Sequence, residues 1–221
     1  AYDMRQVLAI DVPEPATGAG DAGVFDFFQE ATRRIGELPG VQGVAAGRVV
    51  PWRDSSDGLK FRFAFEGYQP ADGEEDPTCR FRPVSPRFFA VLGVPILAGR
   101  DFTDADRDDT ELVALVSQSV AQRLFSNGDA VNRQVRFANN PKARPRRIVG
   151  IVADVDDENI VQEPTLTVYY PLRQMASPNR MFVRAAGDPY VPVPSVTRIL
   201  RALPTDVAVE RPTTLEDVRA E

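Results

Sequence analysis

The stretch VSPRFFAVLGVPILAGRDFTDAD, Val84 to Asp106, decides how the chain is read. Val84 ends an alternating apolar run. Ser85 then stands where a helix N-cap belongs, with Pro86 at the first helical position, where a missing N–H costs nothing. Phe88, Phe89 and Leu92 supply one apolar helical face, and Gly93 is placed to close the helix in the left-handed conformation. Ile96 to Phe102, ILAGRDF, reads as a strand running into an aspartate-rich loop. The apolar run Val91 to Gly99 is about half the roughly 20 residues that span a bilayer, and Pro95 breaks it.

Upstream, the period-two pattern of LKFRFAFEGY, Leu59 to Tyr68, puts Leu59, Phe61, Phe63 and Phe65 on one buried strand face. An acidic loop, Gln69 to Pro77, leads to a second alternating strand with Cys79, Phe81 and Pro83, which points Cys79 into the core. The N-terminal part reads as a strand at Gln6 to Val12, a helix carrying Val24, Phe27, Phe28, Ala31, Ile35 and Leu38, and a strand at Val41 to Val50. Asp21 is its expected N-cap and Pro39-Gly40 its stop.

Downstream, Leu112 to Val116 is a short strand entering a helix capped by Ser117, with Val120, Ala121, Leu124 and Phe125 inward. Strands follow at Gln134 to Ala138, Arg147 to Val155 and Thr165 to Tyr170. The chain closes as it opens: a strand at Arg180 to Ala185, a helix with Val196, Ile199, Leu200 and Leu203 on one face, and a strand at Val207 to Glu210. The fold class is therefore α+β. Its two terminal β-α-β units pair as a split ferredoxin-like, porter-type layer, and the middle forms an inserted, smaller, strand-rich α/β subdomain. The division falls at 1–100 plus 179–221 for the layer and 101–178 for the insert.

Composition excludes several functions. A net charge of −6 with only two lysines, Lys60 and Lys142, argues against a nucleic-acid partner, which requires clustered cations. Cys79 is the only cysteine, so there is no internal disulfide and no cysteine cluster for zinc. The chain lacks histidine altogether, which removes Ser-His-Asp and Cys-His nucleophile systems and imidazole metal sites. Lys60, in an alternating strand, and Lys142, in a Pro-rich loop, present no nucleophile. The 32 acidic residues lie largely in loops and single out no catalytic pair. Asp104, Asp106 and Asp108 have the spacing that opens a calcium loop, but Asp109 and Leu115 stand where glycine and glutamate are needed. Asp154, Asp156, Asp157 and Glu158 form a similar acidic cluster without the motif. No phosphate-binding glycine loop occurs. Trp52, after Pro51, is read as packing in preference to an exposed anchor. No catalytic, cofactor-binding or metal residues are assigned, and the chain is read as a non-enzyme needing no cofactor.

VSPRFFAVLGVPILAGRDFTDAD resembles the signature of the periplasmic core domain of ABC-transporter permeases of the MacB/FtsX type. ELVALVSQSVAQRLF (Glu111 to Phe125), GDAVNRQVRF (Gly128 to Phe137), RRIVGIVADV (Arg146 to Val155), VYYPLRQ (Val168 to Gln174), MFVRAAGDP (Met181 to Pro189) and the closing PTTLEDVRAE follow in the family's order. Where the family often has Ile-Gly, this chain has Val131-Asn132, at a tight turn before Gln134. The resemblance implies an extracytoplasmic, periplasmic domain tethered to the inner membrane, inserted between transmembrane helices, that transmits ATP-driven conformational change and handles substrate or partner proteins. Its implied partners are its own transmembrane helices and a cytoplasmic ABC ATPase; a homodimer of the full-length form and a periplasmic adaptor protein stay open. A free-standing extracytoplasmic ligand- or protein-binding module and a carboxylate-based hydrolase are the alternative readings.

Overall fold

The computed structural model describes residues 4–12, 20–51, 60–125, 127–140, 142–155, 166–203 and 212–220. The mixed α/β architecture runs β1 (Val7–Asp11), α1 (Gly20–Gly36), β2 (Val41–Gly47), β3 (Lys60–Phe65), β4 (Thr78–Val84), α2 (Phe88–Leu92), β5 (Ile96–Gly99) and β6 (Val113–Ser117). It continues with α3 (Gln118–Leu124), β7 (Gln134–Phe137), β8 (Arg146–Val152), β9 (Thr167–Pro171), a 3-10 turn at Leu172–Gln174, β10 (Arg180–Ala185), α4 (Val193–Ala202), β11 (Thr213–Thr214) and α5 (Leu215–Ala220).

The chain's two ends build one layer with strand order β11-β1-β10-β2. Strand β10 lies antiparallel between β1 and β2, and β11 is antiparallel to β1, with Leu8 opposite Thr214. Strand alternation divides each strand between two cores. Leu8, Ile10, Val44, Ala46, Met181 and Val183 pack beneath α1 and α4, against Phe27, Phe28, Ala31, Ile35, Val196 and Leu200. Val7, Ala9, Ala45 and Phe182 face the opposite way, into a second core shared with α2. The helical periods in α1 and α4 supply the side chains the first core needs.

The other strands close on themselves. β4 pairs β3, β3 pairs β7, β7 pairs β8, β8 pairs β6, β6 pairs β9, and β9 returns parallel to β4. Such a ring leaves these strands no free edge and encloses an interior filled by side chains. That interior holds Phe63, Phe65, Cys79, Phe81, Ala114, Val116, Val135, Ile148, Val168 and Tyr170, with Val120 and Ala121 of α3 and Phe125 just after it packed into it. Aromatic rings meet there edge to face, as their quadrupoles favour: Phe81 and Tyr170 lie 4.9 Å apart at 78°. Burial pushes the Cys79 thiol up to about 12. Two strands of the ring, β3 and β4, come from 1–100, and four from 101–178, so backbone pairing joins the two sequence segments.

Several local expectations are revised. Ser85 does not cap α2. Its Oγ accepts the Ala46 N–H at 2.8 Å, and the position before the helix is Arg87, in the left-handed region at φ 66°. Gly93 does close α2, at φ 72°. Ser117 precedes α3 but makes no side-chain cap; its Oγ accepts the Thr167 N–H, and Asp154 takes the Ser119 N–H at 2.9 Å and its hydroxyl at 2.7 Å. The β3 pattern holds for Phe63 and Phe65, but Phe61 is 37% exposed at the rim. On β4, Arg80 and Arg82 are buried as well as Cys79 and Phe81, because strands and loops cover both faces of a strand that alternation alone made one-sided. The 3-10 turn, β11 and α5 carried no periodic signal long enough to be read. Trp52, Val207–Glu210, Asp156, Asp157 and Glu158 lie outside the described residues, as does the side chain of Asp21.

Two backbone positions test this packing. Gly99 sits at φ 71° where β5 crosses β8, and a Cβ there would lie 2.1 Å from the Val149 carbonyl oxygen. Gly99→Ala is expected to cost about 2–4 kcal/mol, adding left-handed strain to a backbone clash, as a lowered midpoint in urea; an unchanged midpoint rules the crossing out. Asn132 occupies the turn at φ 71°, a backbone conformation that its short polar side chain tolerates. Asn132→Gly should be neutral to within about 0.5 kcal/mol and Asn132→Val should cost about 1–2 kcal/mol, compared by thermal melts.

Candidate functional site

A cleft of about 660 Å³ opens between the terminal layer and the ring of strands. Phe25, Phe28, Gln29 and Thr32 of α1 and Gln42 to Val44 of β2 form one wall; Pro86, Arg87, Thr103, Asp104, Asp106, Arg107 and Pro171 to Arg173 form the other. The Gly99-Arg100-Asp101-Phe102 turn shapes the second wall, each residue by a different contact. Gly99 lets β5 touch β8. The Arg100 guanidinium donates to both carboxylate oxygens of Asp106, at 2.8 Å each. Asp101 accepts the Phe102 N–H at 2.7 Å and the Arg87 backbone N–H, so it holds the left-handed residue that starts α2. Phe102 is buried in the shared core.

Asp106 also accepts the Thr103 N–H at 2.8 Å, which folds the aspartate-rich segment into a tight loop. Burial opposes its charge, but Arg100 and Thr103 outweigh that and hold its carboxyl below the usual range. Burial of Asp101 instead raises its carboxyl above the ordinary value, against the pull of its two backbone donors. Of the aspartates at calcium-loop spacing, Asp106 thus has both oxygens committed to Arg100 and Thr103. Asp154, in the other acidic cluster, is committed to Ser119.

Gln174 fastens the rim of the cleft to the ring. Its Oε1 accepts the Val113 N–H at 3.0 Å and the Arg146 guanidinium at 2.7 Å, while its Nε2 donates to the carbonyls of Arg107 and Glu111. Arg146 is buried, which lowers its pKa, and it lies 4.0 Å over the Tyr170 ring. Across the cleft, Arg173 donates to Gln29 Oε1 at 3.1 Å and stacks over Phe25. The sequence pattern marks the ILAGRDF segment, expected as a strand, and the aspartates after it, but not Gln174, Arg146 or Arg173. Their hydrogen-bond partners lie 28 to 144 positions away, beyond any local spacing rule.

The profile of the MacB-like periplasmic core domain matches residues 8–220. The chain belongs to that family. The MacB-like domain is also similar, at 34% identity over 71 residues, to a macrolide export ATP-binding/permease protein MacB of Mannheimia succiniciproducens; the match spans 32% of this chain and 10% of that protein. In fold it resembles the periplasmic region of MacB from Actinobacillus actinomycetemcomitans, with TM-score 0.60 and 17% identity over 97% of this chain and 91% of that one. A domain of a permease protein from Porphyromonas gingivalis has TM-score 0.55 at 14% identity, covering both chains fully. The extracellular domain of the ABC-type transporter YknZ from Gram-positive bacteria has the same score and identity, over 92% of this chain and 100% of that one. No helix among the described residues is long and apolar enough to cross a membrane.

The Arg100–Asp106 pair yields a pH-dependent prediction. A carboxylate whose folded pKa is depressed contributes stability that is present above its unfolded pKa, about 3.9, and lost as pH falls toward the folded value. Arg100 is 44% exposed, so the pair is discounted for solvent screening, and Asp106→Asn should cost about 1–3 kcal/mol at pH 7. Urea unfolding at pH 7 and at pH 3 should show that difference shrinking at the lower pH; a constant difference would remove the charge from the explanation.

Proposed function

We propose that this MacB-like domain is the extracytoplasmic part of an ABC-transporter permease, tethered to the inner membrane, that passes ATP-driven movement outward and handles substrate or partner proteins without catalysing a reaction itself. The observation that carries this reading is that β1 and β11, the first and last described strands, are neighbours in one layer. Force applied through either end of the chain therefore acts on the same rigid sheet. The order β11-β1-β10-β2, with both covering helices α1 and α4 on one face, supports describing the terminal layer as a ferredoxin-like, porter-type split β-α-β unit. Coupling of this kind requires stiff bodies that can take two relative arrangements. The layer and the strand ring serve as those bodies, and the cleft is the gap between them. The partners in this reading are transmembrane helices and a cytoplasmic ABC ATPase, with a second copy and a periplasmic adaptor as further candidates.

Cysteines at Gln29 and Arg173, joined by a short bis-maleimide in the full-length transporter, would pin α1 to the opposite wall. Cys79 is fully buried and will not compete for the reagent. Crosslinking is expected to uncouple ATP hydrolysis from transport, while either single-cysteine protein treated alike stays coupled. Normal coupling in the crosslinked protein refutes the proposal.

A further inference from the structure

Strand β2 pairs with β10 along its length, but on its other side it meets β4 only at Gly47, opposite Val84. The next outward-facing groups belong to Ala46, and Ser85 takes both: its Oγ accepts the Ala46 N–H at 2.8 Å and its own N–H donates to the Ala46 carbonyl at 2.9 Å. Backbone groups of alternate strand residues point the same way. Val44 lies two positions back, with no register shift between it and Ala46, so its N–H and C=O are directed to this side too. Among the described residues nothing pairs with them there. The cleft runs along this edge, between α1 and the Arg87 loop, and its volume falls in the range of ligand-holding pockets.

We propose that the cleft takes an extended polypeptide segment of a partner protein, added as a strand to β2 at Val44 and carrying alternating apolar and acidic side chains. Main-chain bonds to an open sheet edge supply affinity, and alternate side chains supply selectivity. One row of side chains would face Phe28 and Leu172. The other would face Arg87, which is exposed and whose guanidinium, unlike its backbone N–H, has no carboxylate partner among the described residues. Among the described residues, the Arg173 guanidinium meets the neutral Gln29 and the Phe25 ring. The Asp106 charge is already neutralised by Arg100, which leaves Asp104 as the lining carboxylate without an arginine partner among the described residues. The cleft is therefore cationic on a chain whose net charge is −6, so attraction of an acidic segment has a local origin.

The inference goes beyond the transporter reading and is tested on the 221-residue chain alone, so failure of either leaves the other standing. The probes are fluorescein-labelled, capped octapeptides alternating valine with glutamate or valine with lysine, followed by anisotropy. The glutamate peptide should bind saturably and about tenfold more tightly than the lysine peptide, and Arg87→Glu should reverse that order with the melting temperature unchanged. Methylating alternate amides of the glutamate peptide should abolish binding, because strand addition needs its N–H groups. Lack of saturable binding, indifference to Arg87→Glu, or indifference to amide methylation each overturns the proposal.

Discussion

Two adjacent phenylalanines of a five-residue helix hold this domain together. Phe88 meets Phe182 of the terminal layer edge to face at 5.2 Å, and Phe89 meets Tyr169 of the strand ring at 4.9 Å. Neighbouring residues on a helix point about 100° apart, so a single turn can address two bodies at once. Each ring is buried, and removing such a side chain from water is worth roughly 1.5–3 kcal/mol. A helix this short is not stable by its own hydrogen bonds. Its position is imposed by Gly93 at one end and by Arg87, held through Asp101, at the other.

That arrangement explains why the Gly-Arg-Asp-Phe turn lies beside the cleft. A left-handed arginine costs conformational energy, of the order of 1–3 kcal/mol, and persists because Asp101 accepts its N–H and Phe102 is locked in the shared core. Arg100 and Asp106 then fold the following loop against the ring, and Gln174 ties that loop to β6 and β8. The cleft wall is thus fastened to the ring by side-chain hydrogen bonds, whereas it meets α1 through Arg173, which donates to Gln29 and stacks over Phe25, and through Leu172, which packs into the core beneath α1.

Structural similarity to MacB and YknZ domains at 14–17% identity follows from the same physics. The buried positions ask for apolar volume and the right strand or helix period, and many residues satisfy that. Fewer positions are constrained by backbone shape: Gly99 at a strand crossing, Gly93 at a helix end, and the turn residue Asn132.

The sequence by itself determined the elements with strong period: the apolar faces of α1 and α4, the inward Phe63 and Phe65 of β3, the limits of β10, the inward Cys79 and the closing role of Gly93. These depend on neighbours within one or two turns, which local spacing records. It also brought the two chain ends into one layer, since repeated strand-helix-strand units leave matching apolar faces to cover. Only the tertiary structure decided that β3 and β4 close a ring with strands from the middle of the chain, that Ser85 bonds to β2 instead of capping α2, and that Arg146, Gln174 and Arg173 build the cleft rim. Those outcomes turn on which distant donor meets which distant acceptor, and that is set by how the layers stack and not by any residue's near neighbours in the chain.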